Sequence, residues 1–206
     1  MNKNTLLNIS LGICQLAKIL FIIIAIGITF VFIHVQIDKD FYSKVEFGLS
    51  KENSNLNLSN TDLNITSTWH VTNLSEELKN KDKTTIYKEL FKLNKLTKTS
   101  LYLQYFKLSF VLLMFFLAVS EFQKIIESVK SHKTFGIQNV NSFRKIGTYI
   151  VVSVLFTMYT SVNFEQGGYS GFSISFNQLF LALIAFIMAE IFKEGNILKE
   201  ENNLTI

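Results

Sequence analysis

Four stretches of this 206-residue chain are too long and too poor in charge to be the interior of one water-soluble domain. The first runs from Leu11 to Ile33, and between Ile19 and Ile33 it holds no charge and a single hydroxyl, Thr29. The second, about Leu101 to Ser120, contains the run Val111-Leu-Leu-Met-Phe-Phe-Leu-Ala-Val119. The third, Ile146 to Phe164, has no charged residue, and the fourth, Phe172 to Phe192, has one, Glu190. A helix rises ~1.5 Å per residue, so a hydrocarbon core of ~30 Å takes ~20 residues to cross. One such block fits inside a globular core. Four do not, because with 49% hydrophobic and 17% charged residues the polar remainder is too small to cover them. The expectation is an all-α integral membrane protein in a single domain, with four transmembrane helices at about 12–35, 101–121, 146–164 and 172–192. The lipid bilayer is then its first partner.

A cleaved signal peptide is the rival reading of the first block. Its apolar region starts late and leaves through Phe32-Ile-His-Val-Gln-Ile-Asp-Lys-Asp40, which offers no small-x-small site. An uncleaved span is the better fit.

The short loops set the threading. Residues 121–145 carry Lys124, Lys130, Lys133, Arg144 and Lys145 against two Glu, whereas residues 165–171 carry no Lys or Arg. Positive loops stay inside, which makes 122–145 a cytoplasmic loop and 193–206 a cytoplasmic tail. Both termini are then cytoplasmic, in a multi-pass protein of the cell (plasma) membrane. Residues 36–100 become the extracytoplasmic segment. Its Val45, Phe47 and Leu49, and then Leu63, Ile65, Trp69 and Val71, alternate as in strands around the turn-rich run 51–55. Ile86, Leu90, Leu93 and Leu96 recur at helical spacing. A small β-hairpin or sheet plus an amphipathic helix is therefore expected between the first two spans.

The usual chemistries find no foothold. His34, His70 and His132 are too far apart in sequence and topology to share a metal, and Cys14 has no second cysteine to pair with. No phosphate-cradling glycine loop, HExxH helix or nucleophile elbow occurs. Neither an enzyme nor a cofactor is expected. A net charge of +4 without a basic cluster gives no reason for direct nucleic-acid binding.

Charges within or beside the spans are the strongest functional pointers. Lys107 falls in the outer half of the second span; Glu121 and Glu190 fall near the inner ends of the second and fourth. Two readings stand. The side chains snorkel to the interfaces, or the carboxylates pair with Arg144 and Lys145 at the start of the third span. The second is favoured by Arg144 itself, the sole Arg among 20 Lys and Arg, because guanidinium suits a bidentate carboxylate. Asn139 is placed to cap the third helix through its side-chain oxygen. The tail alternates Ile197, Leu198, Leu204 and Ile206 with Glu and Lys. Asn139, Leu204 and Ile206 are the candidate docking residues for a cytoplasmic partner.

Two stretches are distinctive: Phe135-Gly-Ile-Gln-Asn139-Val-Asn-Ser-Phe143-Arg144-Lys145-Ile-Gly147, and Ala189-Glu190-Ile-Phe192-Lys-Glu-Gly195 with the tail to Ile206. With four spans and a large first outer loop, they make the whole chain resemble a bacterial membrane family known as domain of unknown function 2975. Thr134 stands where that family typically has Pro. The resemblance implies no defined activity. It does imply a cytoplasmic helix-turn-helix regulator as partner, since members are often encoded beside one. The leading expectation is a non-enzymatic sensor, regulatory or protein-interaction module linking the outer segment to a cytoplasmic protein. The alternative is a small transporter, channel component or protection factor against membrane-active peptides, working as a homo-oligomer.

Overall fold

The computed structural model describes residues 3–45, 57–59, 62–71 and 90–204. The chain is mostly helical: α1 (Lys3–Ile37), β1 (Asn57–Ser59), β2 (Asp62–Val71), α2 (Lys98–Lys130), α3 (Ile137–Thr157), β3 (Tyr159–Phe164), β4 (Gly167–Ser175) and α4 (Phe176–Leu204). Single 3-10 turns lie at Asp40–Tyr42 and Leu93–Lys95. Three helices are long and apolar enough to cross a membrane, within Thr5–Ile37, Lys98–Lys130 and Phe176–Asn202. On α1 the large apolar side chains stand exposed, Leu16 and Ile26 at 65% each. Apolar surface of that extent marks a membrane-facing helix.

The third and fourth apolar blocks end and begin elsewhere than their composition predicts. Residues 159–164 and 172–175 are strand, not helix, so α3 stops at Thr157 and α4 starts at Phe176. The reason is local. Tyr159-Thr-Ser-Val-Asn-Phe164 and Gly167-Gly-Tyr-Ser-Gly-Phe-Ser-Ile-Ser175 are rich in β-branched, aromatic and glycine residues, and an uncharged run does not by itself separate helix from strand. The two strands pair antiparallel from Tyr159↔Phe172 to Phe164↔Gly167 across the turn Glu165-Gln166.

A four-stranded sheet in the order β1-β2-β4-β3 results. Of the predicted hairpin, the second strand is there as β2, but its hairpin partner is β1 at Asn57–Ser59 and not a strand at 45–49. Val45 is in no strand, and Phe47, Leu49 and the turn 51–55 lie outside the described residues. Strand β2 also pairs with β4, from Asp62↔Ser175 to Val71↔Gly167, with a register shift between Asn64 and Thr66. Of the predicted amphipathic helix, Leu90 is helical, Ile86 lies outside the described residues, and Leu93 and Leu96 fall beyond the helix end. Leu93–Lys95 is a 3-10 turn and Leu96 bridges to Phe164. Leu90 and Leu96 are buried with Phe91, Val162 and Phe164, in line with their apolar spacing. Phe47, Leu49, Ile86 and Ile206 fall outside the described residues, and Leu204 is described in its backbone alone.

The chain divides into two compact units. One comprises residues 1–24, 110–155 and 176–206, the other 25–109 and 156–175. In the first, Ile125, Val140, Phe143 and Ala189 form a core flanked by Val129, Ile146, Met188 and Phe192. Ala182, Ala185 and Ala189 are all buried on α4, and small residues at that spacing let helices approach closely. Gly147 serves the same end on α3, since a Cβ there would meet the Phe186 ring at 2.8 Å. In the second unit the outer edge of β3 is closed. Thr97 N–H donates to Asn163 O at 3.0 Å, Asn163 N–H to Ser100 Oγ at 2.8 Å, and Glu165 N–H to Lys95 O at 3.0 Å. Gln104 Nε2 donates to Ser161 O at 3.1 Å. An edge strand with its backbone groups so occupied has no free template for another chain.

Helix α2 ends in a Schellman arrangement: Lys133 N–H reaches Ser128 O at 2.9 Å and His132 N–H reaches Val129 O at 3.2 Å. His132 takes the left-handed position, φ 59°, where glycine is usual. His132→Gly should therefore raise stability, by roughly 0.5–1 kcal/mol from relief of left-handed strain. His132→Val should lower it. Thermal unfolding of the detergent-solubilised protein, followed by circular dichroism, checks both directions.

Candidate functional site

Three of the four charges singled out in the sequence, Glu121, Arg144 and Glu190, lie in the first unit, each with a partner. The Glu121 side chain is only 8% exposed. Its Oε1 takes Lys124 Nζ at 2.7 Å, with Lys145 Nζ at 3.7 Å, and its Oε2 takes the Ser142 hydroxyl at 2.8 Å. A carboxylate so far out of water needs this enclosure, because an unpaired buried charge is strongly unfavourable. Ser142 can reach it because α3 turns the buried face that carries Val140 and Phe143 toward α2. No sequence motif signals Ser142; its role comes from helical phase alone.

Arg144 Nη2 bonds Glu190 Oε1 at 2.7 Å, and Glu190 Oε2 takes Lys193 Nζ at 3.1 Å. The contact is a single hydrogen bond rather than a bidentate fork, because the second carboxylate oxygen is occupied by Lys193. Both partners are about half exposed, 48% and 56%. Glu121 and Glu190 thus each sit beside one member of the Arg144-Lys145 pair.

Lys107 belongs to the second unit and does a different task. Its ammonium donates to Tyr159 O at 2.7 Å, to Thr160 Oγ1 at 2.9 Å and to Thr157 O at 3.4 Å. These are the carbonyls where α3 gives way to β3, so a cation here satisfies helix-end acceptors and matches the negative end of the helix dipole.

Asn139 is not the N-cap. It is the third residue of α3, 2% exposed, and its amide nitrogen donates to Thr134 O at 2.6 Å and Lys133 O at 3.4 Å. Two carbonyls can be served only by the NH2 group, so the side chain locks the preceding turn instead of accepting a helix N–H. Gly136, whose carbonyl takes Asn139 N–H at 2.9 Å, begins the helix without a side-chain cap.

The two distinctive stretches fold against each other. The Phe135 ring lies 5.6 Å from that of Phe192, and the Phe143 ring lies 4.9 Å from Phe192. Phe135 also covers Gly195 so closely that a Cβ there would collide with its ring. Beside this aromatic group, α2, α3 and the turn between them enclose a polar cleft of about 640 Å³, with Glu121 on its wall. Among the described residues no group of His, Cys, Asp or Glu is arranged to hold a metal ion.

The family model described as "Protein of unknown function (DUF2975)" matches residues 86–206, which include α2, α3, α4, β3, β4, the cleft and both distinctive stretches. The chain belongs to this family. Comparison with curated proteins and with solved structures finds no match. For this DUF2975 member, then, the family region contains the Glu121 and Glu190 pairs, while β1 and β2 lie ahead of it.

Two substitutions separate the buried carboxylate from the exposed one. Glu121→Gln keeps a partner for Ser142 but loses the charge facing Lys124 and Lys145, and should lower stability by about 1–3 kcal/mol, as expected for buried hydrogen bonds to a charged group. Glu190→Gln should lower it less, since water replaces the lost partner. Chemical denaturation in mixed micelles ranks them. Gly195→Val should displace Phe135 and speed protease cleavage after Lys133, with little change at α1.

Proposed function

We propose that this DUF2975 protein is a non-enzymatic, multi-pass regulator in the cell membrane that relays an extracytoplasmic condition to a cytoplasmic protein. The observation that carries this reading is α2. It runs unbroken from Lys98 to Lys130 and contributes residues to both compact units: Ser100, Gln104 and Lys107 hold β3 in one, and Glu121, Lys124 and Ser128 line the cleft in the other. A change in the sheet unit thus acts on the same rigid helix that carries the inner charges.

The topology behind this proposal has four spans, with α3 as the third. Its 21 residues reach ~32 Å at ~1.5 Å per residue, and Arg144 and Lys145 mark its cytoplasmic end. The shared sheet supports the threading, because β2 and the β3–β4 hairpin must lie on one side of the bilayer, and the charge bias assigns that side to the exterior. The cytoplasmic face would be the surface of Phe135, Phe192 and Gly195 together with the tail. Its partner in this reading is a small helix-turn-helix regulator.

Single cysteines in a Cys14→Ser background test the threading. A cysteine at Glu165 should react with an impermeant maleimide in intact cells, and one at Lys133 only after permeabilisation. The relay is tested by deleting residues 57–71 and comparing transcripts with those of cells lacking the whole chain. Loss of the same transcriptional response, with the protein still in the membrane, is the expected result; an unchanged response would refute the relay.

A further inference from the structure

The polar cleft of the first unit has a chemistry that the regulatory reading does not use. Its walls come from α2 (Glu121, Lys124), from α3 (Gln138, Asn141, Lys145) and from Lys133 in the turn between them, and its volume of about 640 Å³ falls within the ordinary range for small-ligand sites. The buried carboxylate of the cleft is already engaged, and its serine hydroxyls spend their protons within the chain. Glu121 is occupied by Lys124, Ser142 and Lys145, and Glu127 accepts from Gln123 Nε2 at 2.7 Å. The Ser128 and Ser131 hydroxyls are turned to backbone carbonyls at 2.8 and 3.0 Å. The donors are not used up. Among the described residues the Lys133 ammonium and the side-chain amides of Gln138 and Asn141 have no hydrogen-bond partner, and Lys145 reaches Glu121 only at 3.7 Å. Three lysines face two glutamates, and the carboxylate nearest two of those lysines is buried and occupied. No aromatic side chain lines the cleft, so nothing there would stack on a base or sugar ring.

We infer that this cleft binds a phosphate-bearing anion, held by Lys133 and Lys145 with the amides of Gln138 and Asn141. A tetrahedral oxyanion accepts from several directions at once, which suits ammonium and amide donors arriving from α3 and from the turn before it. Basic pockets between membrane helices commonly take phospholipid headgroups, and a soluble phosphate offers the same oxygens. The inference stands apart from the relay reading, since occupancy of the cleft requires no cytoplasmic partner.

The test uses the full-length protein in a neutral maltoside detergent free of anionic lipid. Thermal unfolding is followed during titration with short-chain phosphatidylglycerol, with diacylglycerol of the same chains, and with inorganic phosphate against chloride at matched ionic strength. A saturable upward shift with phosphatidylglycerol alone identifies a lipid headgroup; a shift with inorganic phosphate as well identifies a soluble phosphate. Lys133→Gln with Lys145→Gln should weaken the apparent affinity about tenfold or more, as loss of charge-assisted bonds to phosphate requires. Because Lys145 also faces Glu121, Asn141→Asp serves as the second variant. An acid near the start of α3 favours the helix through its dipole while repelling an anion in the cleft. It should retain the helical spectrum and lose the shift. If neither phosphate-bearing probe exceeds its control, or if Asn141→Asp binds as well as the parent protein, the inference is overturned.

Discussion

Every backbone N–H and C=O placed near hydrocarbon must find a partner within the protein, and much of this architecture follows from that requirement. It favours long unbroken helices, and α1, α2 and α4 supply them without a proline anywhere in the chain. It also governs the place where a helix stops in the middle of an apolar run. At Thr157 the last carbonyl of α3 would be left open, and Lys107 enters with a charged donor that meets it at 3.4 Å and the Tyr159 carbonyl just beyond at 2.7 Å. The edge of β3 receives the same treatment from residues 95–104, so that the sheet next to the helix end is closed along that side.

The two carboxylates of the first unit follow a second rule, set by exposure. Glu121 is buried and surrounded by three donors; Glu190 lies open to solvent and shares two cations of its own. The same residue type therefore has two roles. One carboxylate ties α2 to α3 at the base of the cleft, and the other tethers α3 to α4 at the surface. That the adjacent Arg144 and Lys145 face different carboxylates follows from helical geometry, since neighbours in sequence point about 100° apart and so address different helices.

The apolar blocks were legible in the sequence because charge-free runs of such length have few other uses, and α1, α2 and most of α4 lie where they predict. That Arg144 pairs with a carboxylate was one of two readings the residue count left open; that the partner is Glu190 and not Glu121 comes from the packing of α3 on α4. The end of α3 was not legible. Tyr159 to Phe164 is as uncharged as the helix before it, and only pairing with β4, and of β4 with β2 far upstream, makes it a strand. Asn139 misled for a related reason: its side chain carries both an acceptor and a donor, and the conformation of Lys133 and Thr134 decides which is used. The cleft left the faintest trace, because Ser142, Gln138 and Asn141 acquire meaning only when α2 and α3 are set side by side.

The central pairing of the sheet has a consequence for how the protein is made. Strand β2 ends at Val71 and its partner β4 begins at Gly167, so the two meet only after α2 and α3 have been synthesised. At ~5–20 residues per second, the ribosome needs roughly 5–20 s to cover that interval. During that time β2 has β1 on one edge and nothing on the other, and an open strand edge is a site for wrong pairing. Completion of the sheet therefore waits on the making of α2 and α3, and the central pairing of β2 is the last of its contacts to form.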